Sequence, residues 1–247
     1  MAYDDLAVII LAAGKGTRMK SALAKVLHKV ADKSMVVHVI ESARRVAPDH
    51  IHVVVGHQAE RVKEEISHHV QVKYSLQKAL LGTGDAVKSA LGDIDPGIEH
   101  VLVLCGDVPL IETQTLDTLL KGHVEKSSTV TVLAALVEDP HGYGRIITDP
   151  DGRVIAIREQ ADASEAEKKI NTVNTGIFCF NRHFLDIGIK EIQPDNNQAE
   201  YYLTDLVEIA QKQSETIIAV TMDDPSQVMG VNTLQELEKA NKIIRNR

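Results

Sequence analysis

An unbroken apolar run over residues 6–11 is the clearest hydrophobic feature of the chain. Such a run, rich in β-branched residues, is typical of a strand that is buried on both faces and therefore central in a parallel sheet. Similar short runs recur, separated by segments with apolar residues at helical spacing. The pattern predicts strands at 6–11, 51–55, 70–74 and 101–104, and helices at 35–46, 58–66, 82–91 and 113–124. This alternation predicts an α/β fold with a mostly parallel central sheet and helices on both faces.

The pattern is less regular after residue 128. It predicts strands at 129–137, 145–148, 154–158, 173–180 and 216–220, and helices at 161–169, 204–213 and 233–246. No internal repeat, low-complexity tract or clear linker interrupts the chain. We therefore expect residues 1–247 to form a single domain, with a first half at about 1–128, an irregular second half at about 129–232 and a closing helix at 233–247.

Composition narrows the class of protein. The 247 residues carry a formal net charge of −8, with three Phe, five Tyr and no Trp, which argues against general nucleic-acid binding. No apolar run approaches the ~20 residues that a membrane span needs, and the acidic N-terminus does not resemble a signal peptide. We expect a cytoplasmic protein without membrane or nucleic-acid partners, whose cysteines, Cys105 and Cys179, are free thiols.

A loop with two glycines, AAGKGTR, follows the first predicted strand. Glycine lets backbone N–H groups approach a ligand, and residues 12–33 carry six Lys or Arg against one Asp. The dinucleotide fingerprint and the G-x-x-x-x-G-K-[ST] loop are both absent, so for Gly14 and Gly16 alone the alternative is a tight turn with solvated cations. With Arg18 and Lys25 added, the pattern favours phosphate binding.

Asp107 follows the predicted strand at 101–104 directly. A carboxylate at the end of a buried strand is a candidate ligand for Mg²⁺, which prefers one or two carboxylates plus substrate phosphates. The alternative is an ordinary turn aspartate that bonds its own backbone.

Polar residues at two further places are candidates for ligand recognition. Gln77 and Gly82-Thr83 flank a loop between a predicted strand and helix, where an amide and backbone groups can pair with a nucleobase edge. The alternative is a polar loop whose Thr83 caps the helix. In the second half, Glu159 and Asn174 can each bond two sugar hydroxyls; the alternatives are an exposed strand-end charge and a turn residue.

The segment LAAGKGTRM, followed by KVLH, resembles the signature of sugar-phosphate nucleotidyltransferases. Within that family it is most similar to the uridyltransferase domains of bacterial N-acetylglucosamine-1-phosphate uridyltransferases. Eight further motifs of the family recur in order over nearly the whole chain, which makes the resemblance specific. They are LQ at 76–77, GTG at 82–84, GDVPL at 106–110, GYGRI at 142–146, EQ at 159–160, NTG at 174–176, EYYLTD at 200–205 and GVN at 230–232.

The resemblance implies a Rossmann-like nucleotidyltransferase fold with a nucleotide-binding first half and a sugar-binding second half. It implies transfer of UMP from UTP to a sugar 1-phosphate, with N-acetylglucosamine 1-phosphate as the best match, by Mg²⁺-assisted in-line attack that releases pyrophosphate. Alternatives are another pair, such as dTTP with glucose 1-phosphate, and a nucleotide-sugar sensor without turnover. A homo-oligomer stays open.

The resemblance also implies a set of site residues. They are the catalytic Arg18 and Lys25, the nucleotide-binding Leu11, Ala12, Ala13, Gly14, Gly16, Gln77, Gly82 and Thr83, the sugar-phosphate-binding Cys105, Gly144, Glu159, Asn174, Tyr202 and Thr204, and the metal ligands Asp107 and Asn232. Without the resemblance, Asn232 would be interpreted as the N-cap of the closing helix.

The chain departs from the usual pattern of the family at several positions. They are Ala24 and Ser34 in place of proline, Asp32 in place of glycine, Asp85 in place of histidine, Cys105 where Tyr is common, and Arg158 in place of an apolar residue. Without proline at position 24, we expect a more mobile Lys25 segment. Relatives of this kind can carry a second, acetyltransferase domain of hexapeptide repeats. We expect none within this chain, and whether it stands alone or is part of a longer protein stays open.

Overall fold

The computed structural model describes residues 3–246. Its strands are β1 (Leu6–Leu11), β2 (Lys29–Val30), β3 (Lys33–Ser34), β4 (Ile51–Val55), β5 (Lys73–Leu76), β6 (His100–Cys105), β7 (Val130–Leu136), β8 (Gly144–Thr148), β9 (Val154–Arg158), β10 (Thr172–Asn181) and β11 (Ile217–Met222). Its α-helices are α1 (Met35–Ala43), α2 (Ala59–Ser67), α3 (Thr83–Leu91), α4 (Thr113–Glu125), α5 (Arg182–Gly188), α6 (Asp205–Lys212) and α7 (Leu234–Arg245).

The main sheet has the strand order β11-β7-β10-β6-β1-β4-β5. Strand β1 runs parallel to both of its neighbours, β4 and β6. Strand β10 runs antiparallel to β6 and β7 and is the one reversed strand of this path. The hairpin β8–β9 attaches to β10. The prediction of an α/β fold with a mostly parallel central sheet is confirmed.

Alternate residues of β1 pack on opposite faces of the sheet, as expected for a central strand. Leu6, Val8 and Ile10 contact the core shared with α1, α2 and α4, whereas Ala7 and Ile9 contact the core shared with α3, α5 and α6. All five side chains are at most 1% exposed. The continuous apolar run is thus explained by helices on both sides.

The chain changes direction across the sheet next to β1. It passes from β1 to β4 and β5 on one side, and then returns to β6 on the other side. Leu11 and Cys105 are paired at the carboxyl ends of β1 and β6. In open α/β sheets a crevice forms where the strand order reverses, and ligands bind there.

Several predicted elements differ from the structure. The helix predicted at 161–169 is wrong: only a short 3-10 turn, Glu167–Lys169, forms there. The Ala161 carbonyl accepts a bond from Asn197 Nδ2 (2.9 Å) and not from a helical N–H group. The strand predicted at 70–74 begins later, at Lys73, and helix α5 was not predicted.

Other boundaries agree closely. Strands β1, β4 and β9 have the predicted limits, and α1 ends three residues earlier than predicted, at Ala43. The closing helix is α7, and Arg247 of the predicted segment lies outside the described residues. Both cysteines are free thiols, as predicted. Within residues 3–246, no helix has the length and apolar character to cross a membrane.

Candidate active site

An open cleft with a cavity volume of about 470 Å³ lies at the carboxyl ends of β1 and β6. This size suits a nucleotide-sized ligand. Predicted site residues in its lining are Leu11, Ala12, Ala13, Gly14, Gly16, Lys25, Gln77, Gly82, Thr83, Cys105 and Asp107. Lining residues that the sequence did not single out are Lys15, Thr17, Val26, Leu80, Ala86 and Glu200. The cleft therefore brings together residues from five separated segments.

Gly16 allows Lys25 to approach the loop after β1. Its φ of 64° is left-handed, and a Cβ at this position would lie 2.4 Å from Lys25 Cβ. Gly14 has no such demand, since a Cβ there would meet nothing within 4 Å. The second glycine thus has a steric reason, and the first leaves the backbone open to the cleft.

Four charged or amide side chains meet at one end of the cleft, where Lys25 and Asp107 belong to its lining and Arg18 and Asn232 do not. The Lys25 ammonium contacts Asp107 Oδ2 and lies 3.1 Å from Asn232 Oδ1. Arg18 Nη2 donates to the same Asn232 oxygen at 2.9 Å. Oxygens of Asp107 and Asn232 therefore converge on one positive charge. We call Arg18, Lys25, Asp107 and Asn232 the cationic end of the cleft.

The local structure shows why Asn232 can face this group. Thr233, not Asn232, is the N-cap of α7, and it forms a capping box with Glu236. The interpretation of Asn232 as the helix cap is therefore wrong. The backbone N–H of Val231 donates to the Asp107 carbonyl (2.9 Å), which fastens the segment before α7 to the segment after β6.

The loop between β5 and α3 is fixed by contacts to residue 201. A Cβ at Gly82 would lie 2.6 Å from the Tyr201 carbonyl oxygen, so only glycine fits. Gly84 N donates to that carbonyl at 2.7 Å. Thr83 does not cap α3 with its side chain, because its hydroxyl accepts a bond from Leu203 N (3.0 Å). The capping alternative for Thr83 is therefore wrong.

Gln77 is nearly buried in this loop, with 5% of its surface exposed. Its amide nitrogen donates to the Gly82 carbonyl (3.1 Å) and to Asp85 Oδ2 (2.8 Å). Asp85, at which the sequence departs from the family pattern, thus accepts a hydrogen bond from a residue that lines the cleft.

A second group of predicted residues lies around Glu159. Thr204 donates its hydroxyl to Glu159 Oε1 at 3.1 Å. A Cβ on Gly144 would lie 3.4 Å from both Glu159 carboxylate oxygens, and Asn174 is the register partner of Gly144. Tyr202 donates to Gln198 (2.6 Å) and is buried. The cleft-lining Cys105 has its Sγ 3.5 Å from the Gly176 carbonyl, so it lies toward β10.

The environment of Glu159 is acidic. Burial is the main reason that the Glu159 pKa is raised, while the Thr204 bond opposes this and Asp162 and Glu200 add to it. Burial first, then Glu208 and Glu159, raise the pKa of Asp205 to about 6. Burial also raises the pKa of the Cys105 thiol to about 12, which argues against a reactive thiolate. We call Glu159, Asp162, Glu200 and Asp205 the acidic end; Glu200 lines the cleft, whereas Glu159, Asp162 and Asp205 are not among its lining residues.

Comparison with known proteins shows the family to which the chain belongs. The family model described as nucleotidyl transferase matches residues 7–242. The chain is 46% identical over 244 residues to the bifunctional protein GlmU of Geobacter sulfurreducens, covering 99% of this chain and 51% of that protein. It is 46% identical over 241 residues to the Lactobacillus johnsonii protein of the same name, covering 97% and 52%. The chain thus spans about half the length of the curated relatives it matches.

A solved structure has the same fold. The crystal structure of a Bacillus anthracis protein described as a glucose-1-phosphate thymidylyltransferase, in complex with sucrose, superposes with a TM-score of 0.74. The match covers 98% of this chain and 96% of the other, at 20% sequence identity. This likeness supports the fold only, because a sequence identity of 20% is too low to indicate a shared substrate.

Proposed function

We propose, from the premise that this chain belongs to the nucleotidyl transferase family, that it transfers UMP from UTP to a sugar 1-phosphate. The products are a UDP-sugar and pyrophosphate. N-acetylglucosamine 1-phosphate is the proposed sugar substrate, and UDP-N-acetylglucosamine the product, on the strength of the motif resemblance. The observation that carries the proposal is the convergence of Arg18, Lys25, Asp107 and Asn232, four residues from separate stretches of the chain, where Lys25 and Asp107 line the cleft.

The cationic end would hold phosphate groups. A phosphate oxygen of the sugar 1-phosphate attacks the α-phosphorus of UTP, the new P–O bond forms, and the bond between the α-phosphorus and its bridging oxygen breaks to release pyrophosphate. Such a reaction needs alignment of the two substrates and neutralisation of negative charge. Lys25 and Arg18, held by Asn232, supply positive charge for this step. No covalent bond to the protein is required.

Asp107 and Asn232 would hold Mg²⁺. Both offer hard oxygen ligands, and both already direct an oxygen at the same cation, the Lys25 ammonium. The donor set therefore fits Mg²⁺ with substrate phosphates as the remaining ligands. When bound, the ion would neutralise phosphate charge next to the two cationic side chains.

The loop around Gln77 would recognise the base. Among the described residues, the N–H of Gly82 and the Oε1 of Gln77 make no hydrogen bond. Uracil offers a carbonyl acceptor beside its N3–H donor, so these two protein groups complement its edge. Leu11, Ala12, Ala13, Gly14, Gly16 and Thr83 would complete the nucleotide side in this proposal.

The second half would hold the sugar. Glu159, Asn174 and Thr204 provide carboxylate, amide and hydroxyl groups suited to pyranose hydroxyls, with Gly144, Tyr202 and Cys105 beside them. In this proposal the division at about residue 128 separates nucleotide contacts from sugar contacts.

The test is pyrophosphate release from a panel of nucleotides and sugar phosphates with Mg²⁺ present. We expect UTP with N-acetylglucosamine 1-phosphate to give the highest kcat/KM. A highest value for dTTP with glucose 1-phosphate would replace the proposed pair. Binding of UDP-sugars without pyrophosphate release from any pair would contradict the enzymatic proposal and favour a sensor.

A further inference from the structure

We infer that Asp85 is a positioning residue for base selection: it fixes the Gln77 amide with its oxygen toward the cleft, so that the site prefers uracil over cytosine. This inference rests on the proposed function in one respect, that the cleft takes a pyrimidine nucleotide beside Gln77.

The number of donors on Gln77 limits what this side chain can offer a ligand. A primary amide has two N–H donors on its nitrogen and no donor on its oxygen. The structure gives Nε2 two acceptors, the Gly82 carbonyl at 3.1 Å and Asp85 Oδ2 at 2.8 Å. Both donors are therefore used inside the protein, and the nitrogen has none left for a ligand.

The two neighbours of Gln77 Nε2 fix the orientation of the amide. An amide can be rotated by 180° about its last bond unless its neighbours distinguish nitrogen from oxygen. An ionised carboxylate and a carbonyl can only accept, so both neighbours of Nε2 reject the rotated form. Rotation would place Gln77 Oε1 against the oxygens of Gly82 and Asp85 and leave a nearly buried side chain without its partners.

The remaining polar atom of the amide is Gln77 Oε1. Gln77 Oε1 makes no hydrogen bond to any residue within 3–246, and this oxygen is not fully buried. It is thus accessible, and Gln77 belongs to the lining of the cleft. The site consequently presents an acceptor at this point that cannot turn into a donor.

A fixed acceptor distinguishes the two pyrimidines. Uracil carries N3–H, which donates to Oε1, whereas cytosine carries a lone pair at N3, which repels it. A free amide could rotate and satisfy either base. A site that reads a polar edge rejects the wrong base because a buried polar group is left unpaired. Asp85 makes this rejection possible although it does not contact the base itself.

The test is calorimetric titration of the whole protein with UTP and with CTP, in Mg²⁺, which needs no turnover. Asp85→Ala removes one of the two acceptors that hold the amide. We expect the ratio of the CTP dissociation constant to the UTP dissociation constant to fall about tenfold. CTP should bind more tightly and UTP more weakly. Asp85→Asn, whose amide can either accept or donate, no longer rejects the rotated Gln77 amide, and it should lower the ratio in the same direction but by less.

Asp93→Ala is the matched control. Asp93 Oδ2 also accepts a 2.8 Å bond, from Ser75 on the same strand that leads to Gln77, but it does not line the cleft. It should leave the ratio unchanged. An unchanged ratio in Asp85→Ala, or the same fall in Asp93→Ala, would overturn this inference but leave the proposed function standing. Wild-type protein that binds neither nucleotide would contradict the proposed function, and the inference with it.

Discussion

The cationic end and the acidic end differ in charge and in how their side chains are held. At the cationic end, Lys25 contacts both Asp107 and Asn232, while the exposed Arg18 donates to Asn232. At the acidic end, Glu159 is bonded to Thr204 and its pKa is raised by burial. One end is an ion pair with added bonds to a neutral amide, and the other is a half-buried group of carboxyls that repel one another.

The difference separates two kinds of recognition. Positive charge that can move onto phosphate oxygens is useful where negative charge is redistributed during reaction. Carboxylates that are desolvated and fixed can accept hydrogen bonds from neutral hydroxyls without a counter-ion. Substitutions at the cationic end should therefore change kcat most, and substitutions at the acidic end should change the KM for the sugar phosphate most.

The largest effect is expected from Lys25→Met. Loss of the ammonium should lower kcat by about 100-fold, ~2.7 kcal/mol of transition-state stabilisation, because this group faces the reacting phosphates in the proposal. Steady-state kinetics with UTP and N-acetylglucosamine 1-phosphate measure the effect. Lys29→Met is the control, since Lys29 is exposed four residues later. A normal kcat in Lys25→Met would remove the functional contrast between the two ends.

A smaller effect is expected from Glu159→Gln. Glutamine keeps an oxygen for the Thr204 hydroxyl but removes the charge. The KM for the sugar 1-phosphate should rise about tenfold, because a hydrogen bond to a charged group typically contributes ~1.5–3 kcal/mol, while the KM for UTP stays nearly constant. Glu165→Gln, at an exposed position, should change neither constant. A rise confined to the UTP constant would place Glu159 on the nucleotide side.

The smallest effect concerns the pH dependence of stability at the acidic end. The Asp205 pKa is raised to about 6, so the folded state binds its proton more tightly than the unfolded state does. This contribution is fully present below the ordinary pKa near 3.8 and is lost as the pH rises through about 6. Asp205→Asn should therefore be more stable than wild type by about 1 kcal/mol at pH 7.5 and show little difference at pH 4.

Urea unfolding at both pH values measures this difference. Asp151→Asn serves as the control because its side chain is 70% exposed. A stability gain in Asp205→Asn that is equal at both pH values would show that the cost of ionising the Asp205 carboxyl in the folded protein is not its cause.

The sequence predicted the first half of the molecule better than the second. The limits of β1 were predicted to the residue because a strand buried on both faces leaves an unbroken apolar run, and those of β4 were predicted equally well although His52 interrupts its run. The prediction at 161–169 failed because polar residues there are held by a distant loop through Asn197, which no local pattern reveals. Helix α5 was missed because it has only seven residues, although Asn181 caps it through Phe184 N.

The site shows the same limit. Arg18, Lys25 and Asp107 each had a local reason to be candidates, but only the resemblance linked them to Asn232, whose own sequence context predicts a helix cap. The structure resolves this because Thr233 occupies the cap. Asp85 could be recognised as a departure from a pattern, yet its bond to Gln77 depends on how the loop before α3 folds back.

The proposed mechanism requires that Asp107 and Asn232 bind a metal together with substrate. A sparse site of one carboxylate and one amide should bind Mg²⁺ well only when phosphates supply further oxygens. Titration calorimetry with UDP-N-acetylglucosamine, with and without Mg²⁺, should show tighter binding in Mg²⁺ for wild type and no such gain for Asp107→Asn. A product affinity that Mg²⁺ leaves unchanged in wild type, or an equal gain in Asp107→Asn, would contradict the account.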